Sequence, residues 1–394
     1  MTPFTTSIAQ DRANMKTIIQ KINAKPGQRI LVTSDVHGHL ENMVHLLGKL
    51  QYSAEDILVI VGDLVDKGPE SLRTVRYIME LSSRAQVFIA EGNVEEHRLE
   101  LLCDTTAGSE ERFCEFVHWQ HSRWGRGLVL DMLSELGVSV EQLMVDNTDA
   151  CRKRLWEHYA SEIDFLRRLP TILDMGSYLF VHGGIPTDDL QSLAGTDRHD
   201  WLKNDCFLEK GFRFSKCVVT GHWPVSLYRH EEADLRPLFE YERRIISIDG
   251  GCGLKETGQL NALVFPDKDA AMEEIGWECQ DEFPVVTALD GQAGRKPSLY
   301  IQYFDSQVER LEEQEGMVRC RHLSTGIVLW APSMFLYLGD DETWHVDDYS
   351  DALLEVKPGD RISVVFRNTG GCYGKINGVL GWYYGRITET GCDP

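Results

Sequence analysis

The sequence predicts an α/β fold carrying a helical insertion, followed by a small β-barrel-like domain at the C-terminal end. Three observations predict it. Six short β-branched runs between residues 30 and 248 each end in a polar residue beside glycine. Helical periodicity fills several of the gaps between them. After about Pro266 the pattern changes to short strands separated by turn signals.

The runs come in order. Ile30-Leu31-Val32 leads into Ser34-Asp35-Val36-His37-Gly38, and Ile57 to Val61 leads into Gly62-Asp63. Val87-Phe88-Ile89 leads into Glu91-Gly92-Asn93, and Leu179-Phe180-Val181 into His182-Gly183-Gly184. Val218-Val219-Thr220 leads into Gly221-His222, and Ile245 to Ile248 into Asp249-Gly250-Gly251. Apolar runs of this length bounded by glycine read as strands buried on both faces. His39 to Leu50 and Ser71 to Leu81 have helical spacing, so strand and helix alternate, as in a parallel sheet. Ligands in such folds sit at the carboxyl ends of strands, where all the polar residues above fall.

Residues of about 96–170 read as a helical insertion, with Leu155, Tyr159, Ile163 and Leu166 recurring every three or four positions. Asp267 to Glu282 is acidic and reads as a linker with room for a short helix. Beyond it, Ser298–Tyr303, Met317–His322, Gly326–Trp330, Phe335–Leu338, Arg361–Phe366 and Gly381–Ile387 read as antiparallel strands, with turns at Lys357-Pro358-Gly359-Asp360 and Thr369-Gly370-Gly371. This gives residues 1–27 as an extension, 28–270 as the main domain and 285–394 as a Src-homology-like β-domain. Trp382, Tyr383 and Tyr384 are its candidate face for a protein partner.

Composition narrows the function. Lys and Arg number 40 against 62 Asp and Glu, a formal charge of −22. Such a surface repels nucleic-acid backbones, so no nucleic-acid partner is expected. It also repels anionic substrates, unless bound cations reverse the local field. No apolar run reaches the ~18 residues of a membrane span, and no membrane partner is expected. Met1 to Gln20 shows no basic-then-apolar signal, and the 10 cysteines form no zinc pattern. Reduced thiols in a cytoplasmic location are the expectation.

The polar residues at the strand ends suit hard divalent cations. Two ions about 3.5–4 Å apart can bind phosphate and activate water, given oxygen ligands, imidazoles and one bridging carboxylate. Asp35 and His37 lie two apart at one strand end. Asp63 is placed to bridge, Asn93 offers a neutral oxygen, and His182 and His222 offer nitrogens.

Ser-Asp-Val-His-Gly at 34–38, Gly-Asp-Leu-Val-Asp-Lys-Gly at 62–68, Gly-Asn-Val-Glu at 92–95, Val-His-Gly-Gly at 181–184 and Thr-Gly-His at 220–222 occur in this order. The sequence resembles the phosphoprotein phosphatase family of calcineurin-like metallophosphoesterases, of bacterial type and related to the symmetrical diadenosine tetraphosphatases. The resemblance covers residues 28–266. It implies a β-sandwich flanked by helices. It also implies two divalent ions, Mn²⁺ or else Fe or Zn, with Asp35, His37 and Asp63 on one and Asp63, Asn93, His182 and His222 on the other. The implied activity is hydrolysis of phosphomonoesters, on a phosphoprotein or small phosphorylated molecule, by a metal-activated hydroxide. Asp63, Asp66, Lys67 and Lys203 are the implied catalytic set.

Three departures fall on the phosphate side. Val94 stands where the family has a proton-donating histidine, oriented by the residue corresponding to Asp66. Lys67 and, in a looser alignment, Lys203 stand where it has arginines. Lysine keeps the charge but loses the bidentate grip. Without an acid, leaving groups that depart unaided suffer least. Two alternatives therefore stand beside the phosphatase: a diadenosine polyphosphate or other nucleotide pyrophosphohydrolase, and a metal-binding pseudo-phosphatase acting as a binding module. His97 is a further candidate acid.

Overall fold

The computed structural model describes residues 17–190 and 198–388. The chain divides into two compact units. The first comprises the residues up to Trp223 together with 237–249 and 260–280. The second comprises 224–236, 250–259 and the chain from Asp281.

The first unit is a sandwich of two sheets. Strands β1 (Ile19–Lys21), β2 (Ile30–Thr33), β3 (Ile57–Val61), β4 (Gln86–Ala90), β5 (Ile172–Asp174) and β6 (Tyr178–Val181) precede β7 (Cys217–Thr220), β8 (Leu238–Glu240), β9 (Ile245–Ser247), β10 (Leu260–Phe265) and β11 (Gly276–Gln280). One sheet has the order β11-β10-β2-β3-β4, the other β1-β5-β6-β7-β9-β8. Strands β2, β3 and β4 run parallel, as do β6, β7 and β9. Ile30, Val32, Val59 and Val61 from one sheet pack against Phe180, Val219 and Ile246 from the other. Helices α1 (Leu40–Lys49) and α2 (Ser71–Arg84) connect β2, β3 and β4. Every residue of β3 is buried, which is why its sequence is a continuous apolar run without alternation.

The insertion is helical as expected: α3 (Asn93–Cys103), α4 (Ser109–Trp124), α5 (Leu128–Glu135), α6 (Thr148–His158) and α7 (Ala160–Arg167). A short helix α8 (His199–Leu202) follows β6. No helix among the described residues is long and apolar enough to cross a membrane.

Two stretches differ from the sequence reading. Residues 19–21, inside the expected extension, are an edge strand paired in parallel with β5. Gly276–Gln280, inside the expected linker, is an edge strand paired with β10. Edge strands tolerate the charge that made this stretch look like a linker: Glu278 there faces Lys49 at 2.9 Å.

The second unit is β-rich. Val285–Thr287, Arg361–Arg367, Cys372–Ile376 and Val379–Tyr383 form one sheet. Gln307–Gln314 and Met317–His322 form a hairpin at the centre of another. Trp382 and Tyr383 are buried. The Tyr383 hydroxyl donates to the carbonyls of Asp290 and Arg386. Of the expected partner face only Tyr384, just beyond the strand, is exposed: Trp382 and Tyr383 point to opposite faces of the sheet, and each face is covered by its own apolar cluster.

Candidate metal centre

The loops that leave β2, β3, β4, β6 and β7 bring all six expected ligand residues together. Asp35 and Asp63 each lie two residues beyond a strand, His182 directly follows β6, and His222 lies two beyond β7. Backbone bonds lock the loops to one another. Asp35 N–H donates to the Gly62 carbonyl and His37 N–H to the Asp63 carbonyl. The His222 N–H reaches the Asp35 carboxylate at 3.1 Å. Of the twelve non-glycine residues with positive φ among those described, six are Asp35, His37, Asp63, Asp66, Lys67 and His222. Left-handed backbone in such numbers is stored strain, held where it aims side chains inward. Gly92 must be glycine for space: a Cβ there would sit 2.2 Å from both the amide nitrogen and the Oδ1 of Asp63.

Asp35, Asp63 and His182 are buried and offer ligand atoms all within 4.8 Å of one another. His37 Nε2 lies 3.5 Å from Asp63 Oδ2 and 3.8 Å from Asp35 Oδ1. His182 Nε2 lies 3.2 Å from Asp63 Oδ1 and 3.0 Å from Asn93 Oδ1. Both rings are held by their other nitrogen: Nδ1–H of His37 donates to the Val65 carbonyl and Nδ1–H of His182 to the Val61 carbonyl. That arrangement turns each Nε2 toward carboxylate or amide oxygens. The Nε2 atoms of both rings and the oxygens of Asp35, Asp63 and Asn93 thus point at one space. This donor set fits divalent cations with mixed oxygen and imidazole ligands.

The electrostatics reflect the negative charge gathered at this point. Burial, with the neighbouring Asp249 carboxylate next, pushes the Asp35 carboxyl well up. Burial lowers the His182 imidazole, but Asp63 and Asp35 outweigh it and hold it up to about 10. Burial and then the Lys67 ammonium push His37 down to about 3. Lys67 Nζ donates to His37 Nε2 at 2.8 Å, so the lysine expected to bind phosphate stands at the edge of the cluster.

His222 is set differently. Its Nε2 is 2.7 Å from Asp205 Oδ1, which leaves Nδ1 for the centre, and its ring centroid lies 5.2 Å from that of His182. Asp205 was not singled out from the sequence. It is exposed, and it also binds Lys203 Nζ through both oxygens at 2.9 Å. Lys203 is therefore an exposed partner of Asp205 at the rim, and it shows no contact with the acceptor cluster.

Asp66, expected in the catalytic set, is held within the loop after β3. Arg98 Nε donates to its Oδ2 and the Leu128 N–H to its Oδ1 at 2.8 Å. Both oxygens are taken and the pair is buried, so Asp66 ties the loop after β3 to α3 and α5. The Arg98 guanidinium in turn lies 4.1 Å from the Phe116 ring centroid. Val94 is buried, and its amide donates to Asp63 Oδ1 at 3.0 Å. His97 is exposed and engages Arg98 and Phe116.

Glu95 is the residue to which the motif reading gave no task. It is fully buried and accepts four backbone N–H groups: Asp63, Leu64, Val65 and Gly92. It clamps the loop that carries Asp63 to the turn that carries Asn93. Its position in Gly-Asn-Val-Glu was the available signal.

A profile of the calcineurin-like phosphoesterase family matches residues 28–248. The chain is 24% identical over 271 residues to an asymmetrical bis(5'-nucleosyl)-tetraphosphatase of Bacillus velezensis, covering 62% of this chain and 91% of the relative. It is 24% identical over 274 residues to a symmetrical bis(5'-nucleosyl)-tetraphosphatase of Legionella pneumophila, covering 59% and 92%. A solved protein serine/threonine phosphatase of Saccharomyces cerevisiae aligns with a TM-score of 0.37 at 15% identity, over 71% of this chain and 86% of that one. With more than half of its 394 residues under the profile, the chain belongs to the calcineurin-like phosphoesterase family.

Proposed function

We propose that this phosphoesterase uses two divalent ions, Mn²⁺ foremost, to hydrolyse phosphomonoesters of a protein or small molecule. The observation that carries the reading is the set of acceptor atoms on Asp35, His37, Asp63, Asn93 and His182 turned toward one space. Asp35, His37 and Asp63 would hold one ion; Asp63, Asn93, His182 and His222 the other. Bound there, the ions would neutralise phosphate charge and supply activated water. The chain's own residues do the rest. Lys67 reaches the cluster edge and grips a phosphate oxygen. Asp205 holds His222 in one tautomer by accepting its Nε2–H. Glu95 keeps Asp63 and Asn93 in register.

A second reading, hydrolysis of a phosphoanhydride such as a dinucleoside polyphosphate, is favoured by the apolar Val94 and by the names of the relatives above. Full-length protein loaded with Mn²⁺ and assayed on p-nitrophenyl phosphate, a phosphopeptide and diadenosine tetraphosphate separates the two. Absence of turnover on all three, with Asp63→Asn binding as much Mn²⁺ as the wild type, defeats both. A cytoplasmic location belongs to this reading, as does a protein partner on the C-terminal β-rich unit. Such a partner would meet Tyr384 and Trp330, which are exposed on one groove.

A further inference from the structure

We propose that His199, oriented by Glu96, is the proton donor to the leaving group in this chain, the role that Val94 cannot fill. The inference rests on the phosphoester-hydrolase reading above.

Three contacts seat α8 beside the centre. Arg198 forms a buried ion pair with Glu91, at the end of β4. The Gly183 N–H, next to His182, donates to the Trp201 carbonyl at 2.9 Å. Trp201 itself is fully buried. Just beyond α8, Asp205 meets His222. The segment from Arg198 to Asp205 therefore runs along the rim, tied at one end to β4 and at the other to His222.

His199 sits at the start of that segment. Its Nδ1 is 2.9 Å from Glu96 Oε2. Glu96 is one helical turn from Asn93 on α3, and residues three apart on a helix are neighbours with Cβ atoms about 5–6 Å apart. Asn93 Oδ1 touches His182 Nε2. The pair thus stands one turn from the acceptor cluster, on the helix that carries Val94. The Glu96 side chain is 10% exposed and fixed, whereas that of His199 is 57% exposed and open to a substrate. With Nδ1–H given to the carboxylate, Nε2 points away from Glu96 and can present a proton. Among the described residues Glu96 holds the imidazole and His97 lies within electrostatic reach of it, while Arg198 and Asp200 are its chain neighbours. The natural orienting carboxylate, Asp66, is occupied by Arg98. Glu96 and His199, 103 positions apart, form a separate histidine–carboxylate pair.

The step balances. Water oxygen bonds to phosphorus as the P–O bond to the leaving group breaks. The departing oxygen keeps that electron pair and takes the proton from His199 Nε2, and the proton lost by water returns to solvent, which reprotonates His199.

The test compares leaving groups. Mn²⁺-loaded wild type, His199→Gln and Glu96→Gln are assayed on p-nitrophenyl phosphate, whose leaving group needs no proton, and on phenyl phosphate, whose leaving group does. General acid catalysis is worth about 10²–10⁴-fold. The expected result for His199→Gln is a loss of kcat of about 10²-fold or more on phenyl phosphate and under about 5-fold on p-nitrophenyl phosphate, with unchanged Mn²⁺ stoichiometry. Glu96→Gln should show a smaller loss with the same selectivity. Equal losses on both substrates, or none on either, overturn the assignment of His199 and leave the hydrolase reading intact. A wild type inactive on both overturns the hydrolase reading, and this one with it.

Discussion

Replacing Glu95 with glutamine isolates the clamp beneath the centre. In the native chain Oε1 accepts the N–H groups of Leu64 at 2.7 Å and Val65 at 3.3 Å, while Oε2 accepts those of Asp63 and Gly92 at 3.0 Å. Glutamine must place an NH₂ where one oxygen stood, facing two donors that then have no acceptor. Hydrogen bonds to a charged group contribute about 1.5–3 kcal/mol each, so the loss of two amounts to about 3–6 kcal/mol of local stability. Every 1.4 kcal/mol is tenfold in an equilibrium constant. Hydrogen–deuterium exchange read by mass spectrometry should therefore show peptides covering 61–66 and 91–95 exchanging about 10²–10⁴-fold faster. Peptides from Arg361–Arg367 should not change. Mn²⁺ affinity should fall as well, because Asp63 and Asn93 lose their common anchor. If protection at 61–66 is unaltered in Glu95→Gln, the clamp does not hold the loop and the argument is wrong.

Arg98→Ala leaves Asp66 buried without its cation, and removing one partner of a buried pair costs about 3–5 kcal/mol; the double variant with Asp66→Asn should recover much of that loss in urea unfolding. Val94→His alone should raise kcat on phenyl phosphate by less than about tenfold, since Arg98 holds the aspartate that would orient the new ring; a larger gain would show Asp66 free to turn. Asp131 is pushed up to about 6 by burial, opposed by the Leu72 N–H and assisted by Asp66. Its folded pKa lies above its unfolded value, so the folded state binds the extra proton. Stability from this group is present below about pH 4 and lost as pH rises to 6. Asp131→Asn should flatten thermal stability between pH 4 and 6, and a slope identical to that of the wild type counts against the assignment. Asp63→Asn should abolish binding of both ions in a calorimetric Mn²⁺ titration, as the one residue common to both ligand sets.

Part of this molecule was written in short-range sequence. Ile57 to Val61 announces a strand because both its faces are buried, so every position must be apolar. Asp35, Asp63 and His222 are each preceded by a polar or glycine residue at a strand end, and the left-handed backbone that follows is a local matter. The hairpin strand Gln307–Gln314 offers no apolar run to read, because only Val308 in it is buried. Gly276–Gln280 looked like a linker because an edge strand carries solvent-facing charge.

Local sequence therefore determined which residues carry acceptor atoms and that strand ends present them. Tertiary structure alone decided their partners. Arg98 reaches Asp66 from 32 residues away, Asp205 reaches His222 from 17 and Glu96 reaches His199 from 103. It also decided that residues 224–236 and 250–259 join the second unit. The physical reason is range. Strand and turn preferences act over a few residues, whereas a buried charge takes whichever counter-charge the packed layers deliver, and no spacing along the chain encodes that meeting.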